Sequence, residues 1–210
     1  MEDLKLLYDA ILTGNARMAR DSTAKALAAG TEPLELIQKA MVPAMDEVGR
    51  RFESQEYFVP ELMLAGRAMK GALELVRPRL GSGGVSGAGT IVVGTVQGDL
   101  HDIGKNLVIS MLEGAGFEVI DLGVNVSPQA FIAAINEKNA KIVALSALLT
   151  TTMPAMKATI EALKGAAIRD KVKVLVGGAP ISQRFADEIG ADGYSESAVG
   201  AVNLARKLAA

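Results

Sequence analysis

His101 is the residue of this chain best suited to hold a metal. It stands in the stretch Gly98-Asp99-Leu100-His101-Asp102-Ile103-Gly104, which follows the apolar run Ile91-Val92-Val93. The chain has 210 residues, 1 histidine and 0 cysteines. An ordinary zinc or copper site takes three or four soft or borderline protein ligands, so none can be built around His101. A metal bound here must arrive already ligated. Haem and corrinoid macrocycles meet that demand, because each supplies the equatorial nitrogens and leaves axial positions for the protein. A lone loop histidine also fits a plain surface or capping role. Asp99 speaks for the ligand, since a carboxylate so close in sequence can reach the ring nitrogen away from the metal, fix the tautomer and strengthen the ligand. Gly98 and Gly104 let the backbone pass close to something bulky.

The order Asp99-x-His101-x-x-Gly104, then Ser146-x-Leu148, then Gly177-Gly178, resembles the signature of cobalamin-binding domains that hold their corrinoid base-off. The resemblance implies that His101 is the axial cobalt ligand below the corrin, in place of the cofactor's own nucleotide base, with Asp99 behind it. It implies that Gly98, Asp99, Leu100, His101 and Asp102 line the lower face, that Ser146 and Thr150 meet the nucleotide, and that Gly178 and Ala198 lie along its tail. Ile103, Gly104, Leu148 and Gly177 complete the cofactor-binding set. Taken without the resemblance, the hydroxyls of Ser146, Thr150, Thr151 and Thr152 suit helix capping and turn formation, and Gly177-Gly178 suits a tight turn.

These loops need strands to carry them. From residue 90 the pattern alternates strand and helix, with strands expected at 90–95, 118–122, 142–145, 172–176 and 192–194. Helices are expected at 104–113, after Ser127-Pro128, after Thr152 and from Ser197. Such units make a five-stranded, doubly wound parallel sheet in the flavodoxin-like (Rossmann-type) order. Ligands of that fold sit beyond the carboxyl ends of the strands, at the switch point between the first and third. The His101 and Ser146 motifs therefore meet in space.

Residues 1–80 read as a helical bundle. Leu4, Leu7, Ala10 and Ile11 recur at helical spacing, Gly14-Asn15 interrupts, and a second helix runs over 16–29. Thr31 and Pro33 start a third, with Leu34, Ile37, Met41 and Met45 along one stripe and Pro43 expected to kink or divide it. Phe58-Val59-Pro60 opens the last, where Leu62, Met63, Met69, Leu73 and Val76 are expected to face inward and Pro78 to end it. Antiparallel packing of such helices gives a four-helix bundle. Residues 81–89, Gly-Ser-Gly-Gly-Val-Ser-Gly-Ala-Gly, have the composition of a flexible linker, with an r.m.s. span of about 15–18 Å. They divide a 1–80 unit from a 90–210 unit.

The segment from Met45 to Phe52, followed by Tyr57 to Pro60, is similar to the helical cap that precedes the corrinoid domain in cobalamin-dependent methyltransferases, methionine synthase among them. The resemblance implies that the cap covers the upper, methyl-bearing face of the corrin, with Phe58, Leu62 and Met63 as cap contacts.

Composition narrows the classes. Lys plus Arg number 22 against 24 Asp plus Glu, a balance with no electrostatic footprint for nucleic acid or an anionic membrane. No apolar run reaches the ~18 residues of a membrane span, and the acidic start Met1-Glu2-Asp3 is unlike a signal peptide, so a cytoplasmic location is expected. A phosphoryl-accepting receiver would need an aspartate where the chain has Ser146, and a flavin carrier would leave the Asp99–His101 pairing without a use. Radical mutase subunits and light-sensing regulators share the cobalamin domain, but the first lack this cap and the second add a DNA-binding module. A cobalamin-binding sensor stays as the alternative. The resemblance is closest to the corrinoid proteins of methanol, methylamine and methoxyarene methyltransferase systems. It implies a methyl shuttle of one-carbon metabolism: the cobalt takes a methyl group from a substrate-specific methyltransferase and gives it to a second, acceptor-side one, with tetrahydrofolate or a thiol as acceptor. A reductive activator is implied too, and the chain is not catalytic alone.

Overall fold

The computed structural model describes residues 2–79 and 88–209. They form two compact units. One holds the N-terminal helices together with Ser110–Phe117, the other the strands and the remaining helical segments. The linker read at 81–89 lies outside the described residues except for Ala88 and Gly89.

The helical unit contains α1 (Glu2–Leu12), α2 (Ala16–Ala28), α3 (Pro33–Leu36), α4 (Val42–Glu53) and α5 (Val59–Val76). Gly14, at φ +70°, turns the chain between α1 and α2, and the Asn15 side chain caps α2 by accepting the Met18 N–H. Between α3 and α4 a π-helical turn, Ile37–Met41, carries the Val42 N–H to the Ile37 carbonyl. Pro43 has no N–H to give to the residue four places back, and the division expected there is this wider turn. Phe58 N–H donates to Glu61 Oε2 at 3.0 Å, capping α5. The core contains Leu7, Ile11, Leu36, Met41, Met45, Leu62, Met69 and Leu73.

Two side chains depart from the expected inward stripe. Met63 is 56% exposed and Leu34 46% exposed. Leu62, Met69, Leu73 and Val76 already fill the buried face of α5, and Met63 stands about 100° around the helix from Leu62. The turn before α5 is braced by charge. Glu47 accepts from Arg50 and Arg51 at 2.8–2.9 Å, and Arg51 also donates to the Tyr57 hydroxyl at 3.1 Å. Those donors hold the Glu47 carboxyl at about 2.

The second fold is a sheet of β1 (Thr90–Thr95), β2 (Glu118–Asp121), β3 (Ile142–Ser146), β4 (Lys173–Gly177) and β5 (Gly193–Tyr194). The order is β2-β1-β3-β4-β5 and every pair is parallel, as the alternating pattern requires. Its helices are α6 (Ile103–Gly114), α7 (Pro128–Lys138), α8 (Met153–Gly165), α9 (Gln183–Ile189) and α10 (Ala198–Ala209). Val92, Val143, Val174 and Val176 pack with Phe131, Met156, Ile160 and Leu163 on one face, while Ile91, Ile142 and Leu175 alternate to the other. Gly94 makes room in β1, since a Cβ there would sit 2.8 Å from the Phe131 ring. The short α9, between the Ser182 cap and Gly190 at φ +74°, is an element the sequence reading omits.

Candidate functional site

The strand register brings the loops together. Thr95 of β1 lies beside Ser146 of β3, and Ser146 beside Gly177 of β4, so three strands end in line at the switch point. The loops 96–102, 147–152 and 178–182 leave from this one edge. They are tied together across it: Val96 N–H donates to the Ser146 carbonyl at 3.0 Å and Ala147 N–H to the Gly177 carbonyl at 3.2 Å.

Asp99 is the fully buried centre of these ties. Its Oδ1 accepts the His101 backbone N–H at 3.0 Å and meets His101 Nδ1 at 2.7 Å. Its Oδ2 accepts the Thr152 hydroxyl at 2.7 Å and the N–H groups of Leu148 at 2.8 Å and Leu149 at 3.3 Å. Burial alone would raise the pKa of this carboxyl. The hydrogen bonds from Thr152, Leu148 and His101 outweigh burial and hold it well below the usual carboxylate range. An ionised acceptor at Oδ1 places the ring proton on Nδ1. Nε2 then carries the lone pair and has no hydrogen-bond partner among the described residues. The His101 side chain is 50% exposed. The arrangement suits a metal ligand oriented from behind.

Other expected positions fall around it. Gly98, Leu100 and Asp102 are exposed on the His101 loop and Ile103 and Gly104 at the start of α6, with Leu100 at 70% and Ile103 at 78%. Leu148 and Thr150 are exposed on the next loop, and Ser146 is half-buried at its base. Gly178, at φ +131°, passes so near the Ala147 carbonyl that a Cβ would overlap its oxygen. That backbone approach makes glycine obligatory. Gly177 lies where a Cβ would touch the Ser195 carbonyl at 3.5 Å, which brings the loop before α10 to the same edge.

Three positions need correction. Asp99 does not line a surface, because its carboxylate is consumed by internal donors. Ala198 is buried in the first turn of α10, not exposed along a slot. Leu62 is fully buried in the bundle core, so of the three expected cap side chains only Phe58 and Met63 are exposed. Thr152 stands at the expected N-cap position, yet its hydroxyl makes no capping bond to α8 and turns to Asp99 instead. Its position six residues beyond Ser146 carried no signal of that contact. Asn125 and buried Lys105 also border the loop and were not singled out.

The donor set suits a metal that brings its own equatorial ligands. Among the described residues no three His, Cys, Asp or Glu side chains converge on an ion, whereas one imidazole is presented with its second nitrogen already engaged. Exposed Leu100, Leu148 and Leu149 on these loops, with Ile103 at the start of α6, suit an apolar macrocycle edge. Among the described residues no helix is long and apolar enough to cross a membrane.

Comparison with known proteins agrees with that chemistry. Residues 89–203 and 4–77 each match a B12 binding domain family. The chain is 44% identical to trimethylamine corrinoid protein 1 of Methanosarcina acetivorans, over 94% of this chain and 93% of that one. It is 50% identical to the dimethylamine corrinoid protein of Methanosarcina barkeri, over 85% and 84%. It superposes on a chain of the methanol:cobalamin methyltransferase complex of Methanosarcina barkeri with a TM-score of 0.88, at 30% identity, covering 99% of this chain and 79% of that one. With a buried carboxylate orienting its one histidine at the switch point, and with these relatives, the chain belongs to the B12-binding corrinoid proteins of the methyltransferase type.

Proposed function

We propose that this chain is the corrinoid-bearing methyl carrier of a methyltransferase system, holding its cofactor base-off with His101 below cobalt. The observation that carries the reading is the 2.7 Å contact between His101 Nδ1 and the buried Asp99 carboxylate, which leaves Nε2 as the lone-pair donor. A corrinoid supplies, when bound, a cobalt centre able to accept and release a methyl group. The chain's own residues hold and orient. Asp99 keeps the ring proton on Nδ1, and Thr152 with the Leu148 N–H keeps Asp99 ionised. Gly98, Leu100 and Asp102 line the lower face, Ser146 and Thr150 meet the nucleotide, Gly177 and Gly178 leave room for its tail, and Ile103, Gly104 and Leu148 complete the cofactor-binding set. Exposed Phe58, just before α5, and Met63 on α5 are the side chains by which the bundle covers the upper face.

The carrier needs partners. A methyltransferase that activates the donor, a second that serves the acceptor and a reductive activator complete the system. Removing a methyl group from an amine, alcohol or ether requires an acid or Lewis acid at the departing atom, and the Asp99–His101 pair is already committed to ligation. The holoprotein mixed with methyl donor and reductant should stay unmethylated until a cognate methyltransferase is added, as followed by its absorption spectrum. Multiple-turnover transfer from the physiological donor by this chain alone would overturn the carrier assignment.

A further inference from the structure

The chain between β2 and α7 runs beside the His101 loop and is bonded to it at several points. Thr95 N–H donates to the Gly123 carbonyl at 3.0 Å, and Val126 N–H to the Thr95 carbonyl at 2.9 Å. Asn125 makes the contacts nearest the ligand. Its backbone N–H donates to the Asp99 carbonyl at 2.9 Å, and its side-chain Oδ1 accepts the Gly98 N–H at 2.8 Å.

Asn125 sits at φ +54°, in the left-handed region that most side chains avoid and that asparagine tolerates. The residue is exposed, so no burial offsets that conformation. The two bonds to Gly98 and Asp99 do. The other end of the same connection is anchored as well: Asp121 Oδ1 accepts from Nζ of buried Lys105 at 2.7 Å and from the Gly123 N–H at 2.9 Å. Lys105 lies in the first turn of α6, just past His101. The His101 segment is thus held before the ligand, through Gly98 and Asp99, and after it, through Lys105. Between them the Thr95 hydroxyl donates to the His101 carbonyl at 2.9 Å.

We infer that Asn125 is a positioning residue for the axial ligand: it fixes the Gly98–Asp99 peptides, and through them the carboxylate that orients the His101 ring. The inference rests on the reading of His101 as the ligand below cobalt. Gly98 is at φ +86°, a backbone with wide freedom once its N–H is released. Loss of Oδ1 therefore loosens the backbone that carries Asp99, while Thr152 and Leu148 hold only its far oxygen.

The test is a double-mutant cycle read by methylcobalamin binding to the full chain. Asn125→Gly removes the acceptor without straining the backbone, and Asn125→Asp keeps an acceptor and the tolerance of positive φ. Asn125→Gly should weaken methylcobalamin binding about three- to tenfold, the range of one hydrogen bond. Asn125→Asp should stay within about twofold of the parent, and Asn125→Gly should change nothing beyond about twofold once His101→Ala is present. Equal weakening with and without His101, no weakening in either background, or a loss in Asn125→Asp as large as in Asn125→Gly would overturn the positioning role. His101→Ala alone must change the spectrum of bound methylcobalamin. An unchanged spectrum there overturns the ligand reading itself, and the role of Asn125 with it.

Discussion

A buried carboxylate without donors takes up a proton, and Asp99 avoids this because Thr152, Leu148 and His101 each direct a hydrogen at it. Thr152→Val removes one donor at nearly constant volume. It should cost about 1.5–3 kcal/mol, the worth of a hydrogen bond to a charged group, read as a lower urea midpoint. A midpoint equal to the parent's would mean that the hydroxyl bonds elsewhere. The pairing of Asp99 with His101 was legible because the two are near in sequence and their chemistry is complementary. The role of Thr152 was not, since a hydroxyl before a helix serves equally as cap or as distant donor, and only the adjacency of β1 and β3 decides. Lys105 was hidden for a related reason: lysine in a helix reads as solvated, and the Asp121 that pairs with it comes from β2.

At the scale of elements, strand and helix boundaries followed from apolar runs and caps, and β1 has the bounds that its sequence predicts. The short α9 went unread because a helix of 7 residues carries too few apolar repeats to show a period. Leu62 and Met63 carry the same expectations but part in the fold, Leu62 buried and Met63 exposed, since a continuous apolar stretch does not say which side faces the core. Gly178→Ala tests the β4 edge. Its Cβ would overlap the Ala147 carbonyl at an unfavourable φ, so it should destabilise the fold by about 2 kcal/mol or more and weaken corrinoid binding. Parental thermal stability and affinity would show that the loops can part freely. In the helical unit, Glu47 has a pKa lowered from 4.5 to about 2, so it binds its proton more weakly when folded. The stability it adds is present above pH 4.5 and is lost as pH falls through about 2. Glu47→Gln should flatten that acid limb of the thermal midpoint, and a limb of parental slope would remove Glu47 as its cause.

For the whole molecule, the composition of 81–89 predicts that protease cuts there first. If the bundle covers a bound macrocycle, methylcobalamin should slow that cut, and equal rates with and without it would leave the segment a spacer and withdraw the cap role of Phe58 and Met63. The methyl donor was not legible in the chain; under the proposed function its recognition belongs to a partner methyltransferase. The central claim, that His101 supplies the nitrogen below cobalt, can be measured at that atom. The chain has 1 histidine, so growth on histidine labelled with the spin-half nitrogen isotope labels a single imidazole. Bound corrinoid in its paramagnetic cobalt(II) state should show the electron-spin coupling of one axial nitrogen, as a triplet in unlabelled protein and a doublet in labelled protein. A triplet that persists after labelling would place the cofactor's own base beneath cobalt and contradict the account.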